Sequence, residues 1–477
     1  MNKISTWLFI SIVSALIFSC TAESSKSSFI KGTVTVEGSP VSGALVSIYV
    51  YPELNDTLEY LQELYPNIGC KVTRELAFDK NENTPVAQIY TDSKGNFETD
   101  ELESGKYVVV INSEGAVKQL VDIAVVDGET NIGTINYTKI FRYTNNSLLT
   151  GNVLWPAGSS VYIEGKIILD EMANLFVEEG VQLFFSDSTQ NFPFGELTIY
   201  GKAEFFGSEK DFITISGAGK FMNAWNSIKL GSQSEGVFRY CAFYDGRNAL
   251  LALKADLYIE NCVFLNNTFG LYNEISNKEL YNKLSFVGNA IGCYNARPDS
   301  LSYSSTLFFK NQTGMNVYGP GCFFVNNILF SSNKMAYKAV YDLYGSIFNC
   351  SFFNNSTSIY LSGEKTFISN CEFKGSDKYD IVIMSEHNSV NSQARFCNNN
   401  FFSLSTYNVF YLGFSWGWNG YDLEAYNNYW NGTTDSLLIG DKIYDKTDAG
   451  PNMMYTGRIL FWPPSSQIIN DAGVYNM

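Results

Sequence analysis

Histidine is almost absent from this chain. His387 stands alone among 477 residues, which excludes any mechanism or zinc site needing two imidazoles on one chain. Basic residues are also in short supply, with 32 Lys and Arg against 48 Asp and Glu and a formal charge of −16. Phosphate binding needs a basic face, so nucleic acid is excluded as a partner. Charged residues make up only 17% of the chain, too few for a coiled coil or a disordered polymer. Its apolar run at residues 7–18 is too short to span a bilayer. Aromatic rings are abundant instead, with 36 Phe and 31 Tyr in a chain that is 45% hydrophobic. That is ample material for a core, and the length suggests two or three domains.

Lys3 followed by that apolar run has the layout of an export signal. Its end, Ile17-Phe18-Ser19-Cys20, resembles the bacterial lipobox. The resemblance implies cleavage after residue 19 and a diacylglyceryl group on the Cys20 thiol, a firm anchor when further acyl chains are added. Residues 20–28 are serine-rich and read as a tether. The expected location is therefore the bacterial cell envelope, lipid-anchored on the outer membrane, with the periplasmic and surface leaflets both open.

Residues 29–137 form the first expected domain. The segments 29–37 (FIKGTVTVE), 42–50 (SGALVSIYV), 91–97 (TDSKGNF) and 102–111 (LESGKYVVVI) read as strands separated by turns. Their order resembles the carboxypeptidase regulatory-like, transthyretin-type β-sandwich, a spacer or contact domain. An insert at about residues 52–84 departs from that pattern. Within it Asp56 and Glu59 have capping-box spacing, and Leu58, Leu61 and Leu64 share one helical face.

A repeat dominates the rest. Phe243, Phe264, Phe286, Phe308, Phe330, Phe352 and Phe373 recur every 21 or 22 residues. Three positions after five of them stand Asn267, Asn289, Asn311, Asn333 and Asn355. Three further on is a small residue, as at Gly270, Gly292, Gly314 and Ala336. A fixed period with special residues in register means stacked coils. Short runs of β-branched and aromatic residues with Asn and Gly at each turn exclude helical repeats. The expectation is a right-handed parallel β-helix over residues 145–465. Each Phe would sit over the next, and the asparagines would take the left-handed corners and bond along the ladder. Residues 466–477 read as a tail. The fold class is thus all-β, a right-handed parallel β-helix preceded by a small β-sandwich.

Upstream, residues 161–169 (VYIEGKIIL), 175–185 (LFVEEGVQLFF) and 197–207 (LTIYGKAEFFG) carry the same architecture in other words. With residues 427–432 (NNYWNG) and 461–464 (FWPP) at the far end, the succession resembles the right-handed β-helix repeat proteins of the pectate-lyase-like superfamily. That superfamily contains enzymes, binders and scaffolds, so the fold alone does not settle activity.

Cys241, Cys262, Cys350 and Cys371 lie two before a ladder Phe, in a slot filled elsewhere by Leu284, Thr306 and Ile328. A slot shared with Leu and Ile is a core slot, so these read as buried thiols, with disulfides between adjacent coils as the alternative. No C-x-x-C pair supports a metal site. In the superfamily's lyases, carboxylates hold calcium and a Lys or Arg removes the proton; its hydrolases use paired acids. No acidic column recurs at the repeat phase here. Asp245 and Arg247 are the nearest candidates, expected on a solvated corner, with Asp377, Asp380, Asp422 and Glu424 scattered later. No catalytic residue is assigned and no cofactor is expected; calcium would enter only with the lyase alternative.

The spacing from Phe373 to Phe402 is 29 residues, which predicts a protruding loop containing residues 414–422 (FSWGWNGYD). Trp416, Trp418 and Tyr421 there read either as a stacking platform for sugar rings or as rings packed on the flank. The functional expectation is a membrane-anchored protein that binds or presents a surface to an extracellular polysaccharide or another envelope protein. The alternative is a polysaccharide lyase or glycoside hydrolase.

Overall fold

The computed structural model describes residues 28–474, apart from 79–82, 114–115, 126–127, 187–193, 218–222, 275–278, 299–300, 342, 363–364, 385–393, 403–407, 413–421, 446 and 449–457. Three parallel sheets of 13 strands each dominate it. The first runs from Ser147–Leu149 to Ile443–Tyr444, the second from Asn152–Trp155 to Ile459–Leu460, and the third from Ile140–Tyr143 to Tyr429–Trp430. Each coil contributes one strand to each sheet. Ser285–Val287, Ile291–Ala296 and Leu301–Ser304 make one coil, and Leu307–Phe309 opens the next. This is a parallel β-helix.

The interior follows the repeat. Phe243, Phe264, Phe286, Phe308, Phe330, Phe352 and Phe373 are fully buried and stack with ring centroids 4.7–4.9 Å apart. The stack continues to Phe401, 4.8 Å from Phe373, and on to Trp430 at 4.9 Å. The expected continuation through Phe402 is therefore off by one. Phe373 pairs with Phe401 in register, and on a pleated strand the next residue points to the opposite face.

The asparagine ladder forms, but not at the left-handed position. Each amide donates to the side-chain oxygen of the next, from Asn267 to Asn355, at 3.0 Å. Each of these amides also donates to a backbone carbonyl of the Phe stack at 2.9–3.1 Å. Five buried amides are thereby satisfied inside the core. The left-handed residue is the one before: Asp245, Asn266, Gly288, Lys310, Ser332, Asn354 and Gly375 all have positive φ. The corner thus separates the stacked Phe from the inward Asn, and the backbone reversal falls between them.

The N-terminal domain has two four-stranded sheets. Phe29–Val36 lies between Asn96–Glu98 and Ser39–Pro40 and also pairs in parallel with Glu129–Tyr137. Leu45–Val50, flanked by Ala87–Tyr90 and Gly105–Ser113, belongs to the second, antiparallel sheet. Ile30, Val34 and Ile135 from one sheet meet Val46, Ile48, Val109 and Ile111 from the other in a single core, making a small sandwich.

Its insert forms a helix at Asp56–Leu64, but Asn55 caps it, accepting from the Leu58 N–H. Glu59 then falls one residue beyond the place a capping box needs, so the expected Asp56–Glu59 box does not form. Leu58 and Leu61 are buried, whereas Leu64 is exposed. The buried face lies on the β-helix. Leu54, Leu58, Leu61, Ile68 and Leu76 pack against Ala242, Val263, Leu307, Phe309 and Leu329, outward side chains of the third sheet. Gly69 takes φ +77° there, and a Cβ would lie 2.8 Å from that of Leu307; only glycine allows so close an approach.

Neighbouring stretches of the same face are also covered. Tyr49, Val108 and Val110 of the sandwich cover Phe184 near the start of the helix. Toward its end, Ile469 exchanges two 2.9 Å hydrogen bonds with Asn400, and the Val474 N–H donates to Ser351 Oγ at 3.0 Å. Much of the outer side of the third sheet is therefore covered by the protein's own chain, with Lys374 among the exposed outward residues.

Candidate functional site

With much of the third face covered, the first and second present their outer sides to solvent, and they differ. On the first, the outward column of the ladder carries Tyr272, Tyr294, Tyr360, Tyr411 and Tyr444. Tyr272 stacks on Tyr294 at 4.9 Å and Tyr411 on Tyr444 at 5.1 Å. Tyr379 lies beside Tyr411 at 5.0 Å, and Lys338 Nζ stands 5.3 Å from the Tyr360 ring. Burial holds the Tyr272, Tyr294 and Tyr411 phenols above their usual range. Tyr272 with Tyr294 and Tyr411 with Tyr444 are thus engaged in pairs, and Tyr360 is met by Lys338.

The second face alternates. Leu280, Phe324 and Phe367 occupy its outward column on every second coil, with Ser302 and Ser346 between them. Leu280, Phe324 and Phe367 are 51%, 45% and 41% exposed. Phe324 is braced edge-on by Phe348, with centroids 4.6 Å apart. Ser302 and Ser346 leave the sides facing them unstacked, while Tyr258 precedes Leu280 and Arg395 follows Phe367 in the column.

That row leads into a groove of about 490 Å³. Beside it, side-chain size changes at the inward positions of the second sheet. Leu301 and Phe323 are followed in register by Gly345 and Thr366. The Phe323 ring leans over Gly345, where a Cβ would lie 2.6 Å from it. Lys365, Phe367, Arg395, Asp422 and Glu424 line the recess with Gly345 and Thr366. Arg395 Nε lies 3.3 Å from Glu424 Oε2, and Asp422 Oδ1 accepts from the Arg458 N–H at 2.8 Å. Lys365 Nζ is 5.3 Å from the Tyr344 ring. Thr366 is 1% exposed, and its hydroxyl finds no hydrogen-bond partner among the described residues.

Of the acids singled out in the sequence, the structure brings together only Asp422 and Glu424. Asp245 is 7% exposed and sits at a left-handed corner, so it is buried, contrary to the expected solvated position. Its carbonyl accepts from Ala224. Arg247 opens the neighbouring strand Gly246–Leu253 and points to solvent. Asp377 is exposed. Asp380 is 2% exposed, takes the inward slot filled by Gly and Ala in earlier coils, and accepts from Ser376 Oγ at 2.5 Å. Burial raises its pKa to about 7.

Cys241, Cys262, Cys350 and Cys371 are fully buried free thiols, and burial pushes those of Cys241 and Cys371 up. Cys20, His387, Trp416, Trp418 and Tyr421 lie outside the described residues. No group of His, Cys, Asp and Glu suited to a metal ion occurs among the described residues.

Reading the sequence for the ladder did not find Lys365, Thr366, Phe367 and Arg395. A signal was present, because positions 280, 302, 324, 346 and 367 repeat at the same period as the Phe stack. The chain matches no protein-family model and no curated protein.

Proposed function

We propose that this chain is an exported, lipid-anchored β-helix protein that binds an extracellular glycan on its second face without cleaving it. Under this reading the helix belongs with the pectate-lyase-like superfamily and the sandwich with the carboxypeptidase regulatory-like domains. The anchor is Cys20 and the location the outer membrane. The observation that carries the binding role is the groove, with an exposed Phe367 and hydrogen-bonding side chains of both charges. Aromatic surface beside charged donors and acceptors is the composition of a specific small-ligand site.

Asp422 and Glu424 on one groove favour a second reading, acid–base cleavage of a polysaccharide, with calcium if the reaction is elimination. Their engagement argues for binding instead. Glu424 is held by Arg395 and Asp422 by a backbone N–H, whereas glycoside hydrolysis needs one acid poised to donate a proton and another facing the sugar.

A glycan array on the full chain in detergent, followed by lyase and reducing-sugar assays on each hit, decides between them. Binding without product supports the proposal; product formation abolished by Asp422→Asn would replace it with the enzyme. Trp416, Trp418 and Tyr421 directly precede Asp422 in the chain, and the reading assigns their rings to the same ligand. At about 1 kcal/mol per ring, replacing all three with Ala weakens binding about 100-fold. Cys20→Ala should release the protein from the membrane fraction or leave its signal peptide attached.

A further inference from the structure

We infer that the ligand of this face is an uncharged, extended β-(1→4)-linked polysaccharide lying along the helix axis, with alternate sugar rings on Phe324 and Phe367. The inference rests on the glycan-binding reading above and adds the chemistry and direction of the ligand.

The first argument is spacing. Phe324 and Phe367 stand two coils apart in one column, with Ser346 between them. Two ladder steps are about 9.6 Å. An extended β-(1→4) chain turns over at each residue, so the same ring face returns at every second sugar. A row of apolar side chains on alternate coils matches that repeat, and the serines leave room for the intervening ring. Leu280 continues the row a further two coils back. The first face offers no such alternating row, because Tyr272 and Tyr294, and Tyr411 and Tyr444, stand on successive coils and stack in pairs.

Charge supplies the second argument. Lys365 and Arg395 balance Asp422 and Glu424 in the groove, while the chain carries −16. An acidic polysaccharide would meet repulsion from the whole molecule with no local excess of cations to offset it. A neutral, hydroxyl-rich chain meets donors and acceptors of both kinds.

The test is calorimetric titration of the full chain in detergent with cellohexaose, cellobiose and polygalacturonate. Cellohexaose, long enough to reach from Phe324 to Phe367, is expected to bind at least about tenfold more tightly than cellobiose. Phe324→Ala and Phe367→Ala should each weaken it about tenfold. Tyr272→Ala on the first face should leave it unchanged. Equal affinity for the two oligosaccharides, or binding of polygalacturonate alone, would overturn this inference and leave the glycan reading standing. Failure of every sugar on the wider array would overturn both. Concentration-dependent dimerisation abolished by Phe324→Ala would also overturn it, by assigning the row to a second copy of the chain.

Discussion

The coils from Phe243 to Phe373 and the coils that follow are built on the same three sheets, yet they are filled by different rules. In the earlier set each slot repeats: Phe lies over Phe, and each Asn amide bonds the next. In the later set the slots change. Ser376 stands where an Asn would continue the ladder, and Asp380 stands where Gly, Ala and then Ser358 stood. Asn399 and Asn428 take over the cysteine slot and bond each other at 3.0 Å. The groove lies on the second sheet alongside these coils, lined from Gly345 to Glu424. Identical neighbours satisfy one another and leave nothing over for a ligand. A binding surface on such a ladder therefore needs broken periodicity in the outward column, to free ring faces.

The largest effect should come from breaking the regular set. Phe308 is fully buried between Phe286 and Phe330, so Phe308→Ala removes a ring from the middle of the stack and should cost about 3–5 kcal/mol. Coils stabilise only their neighbours, so hydrogen exchange should quicken most in the adjoining coils and least at the sandwich. A uniform increase across the chain would show that the helix unfolds as one unit.

The later set should instead respond to pH. Asp380 has a carboxyl raised by burial to about 7, against about 3.9 in an unfolded chain. Below pH 4 the carboxyl is neutral in both states and costs nothing. As pH rises from about 4 to 7, the unfolded state ionises and the folded state resists, so stability falls. Above 7 the penalty levels off at about 4 kcal/mol, three units at 1.36 kcal/mol each. Asp380→Asn keeps an acceptor for Ser376 and should remove the slope. Denaturation midpoints at pH 4 and pH 8 check this: the variant should be the more stable protein at pH 8 and lose that advantage at pH 4.

Asn333 sharpens the comparison from the other side. Its Oδ1 accepts from both the backbone and the side chain of Asn311, and its amide donates to the Phe308 carbonyl. Asn333→Ala strands two donors and an acceptor in the core and should cost about 2–3 kcal/mol. Ser376→Asn, which extends the ladder into the later set, should not bring a comparable gain. Asp380 would lose the Ser376 hydroxyl that it now accepts from.

The regular set was legible because one large residue type marks it. Phe at a fixed period located the stack, and Leu284 and Ile328 in the cysteine slot located the thiols in the core. The left-handed corner was misplaced by one residue because Asn suits both roles, and sequence alone does not say whether its amide or its backbone is being used. The insert's role was hidden for a different reason. Leu58 and Leu61 read as one apolar face of a helix, but their partners Leu307 and Leu329 lie some 250 residues away. The groove depended on that same information. Exposed residues of the second face become a site only once the sandwich, insert and tail are known to cover much of the third.

The smallest expected effect tests the corner itself. Lys310 follows Phe308 by two residues, has φ 54° and reaches over the Phe309 ring, with Nζ 5.4 Å from its centroid. Its backbone conformation disfavours any residue with a Cβ, and the equivalent positions at Gly288 and Gly375 carry none. Lys310→Ala keeps the Cβ and gives up only a solvent-facing cation–π contact, so it should change stability by less than about 1 kcal/mol. Lys310→Gly relieves the strain while adding freedom to the unfolded chain, and these oppose each other. A net gain of about 0.5 kcal/mol is expected, with no loss from the Phe stack. Thermal melts of both variants beside Phe308→Ala check the register. If Lys310→Gly were as damaging as Phe308→Ala, residue 310 would be an inward position and the corner would lie elsewhere.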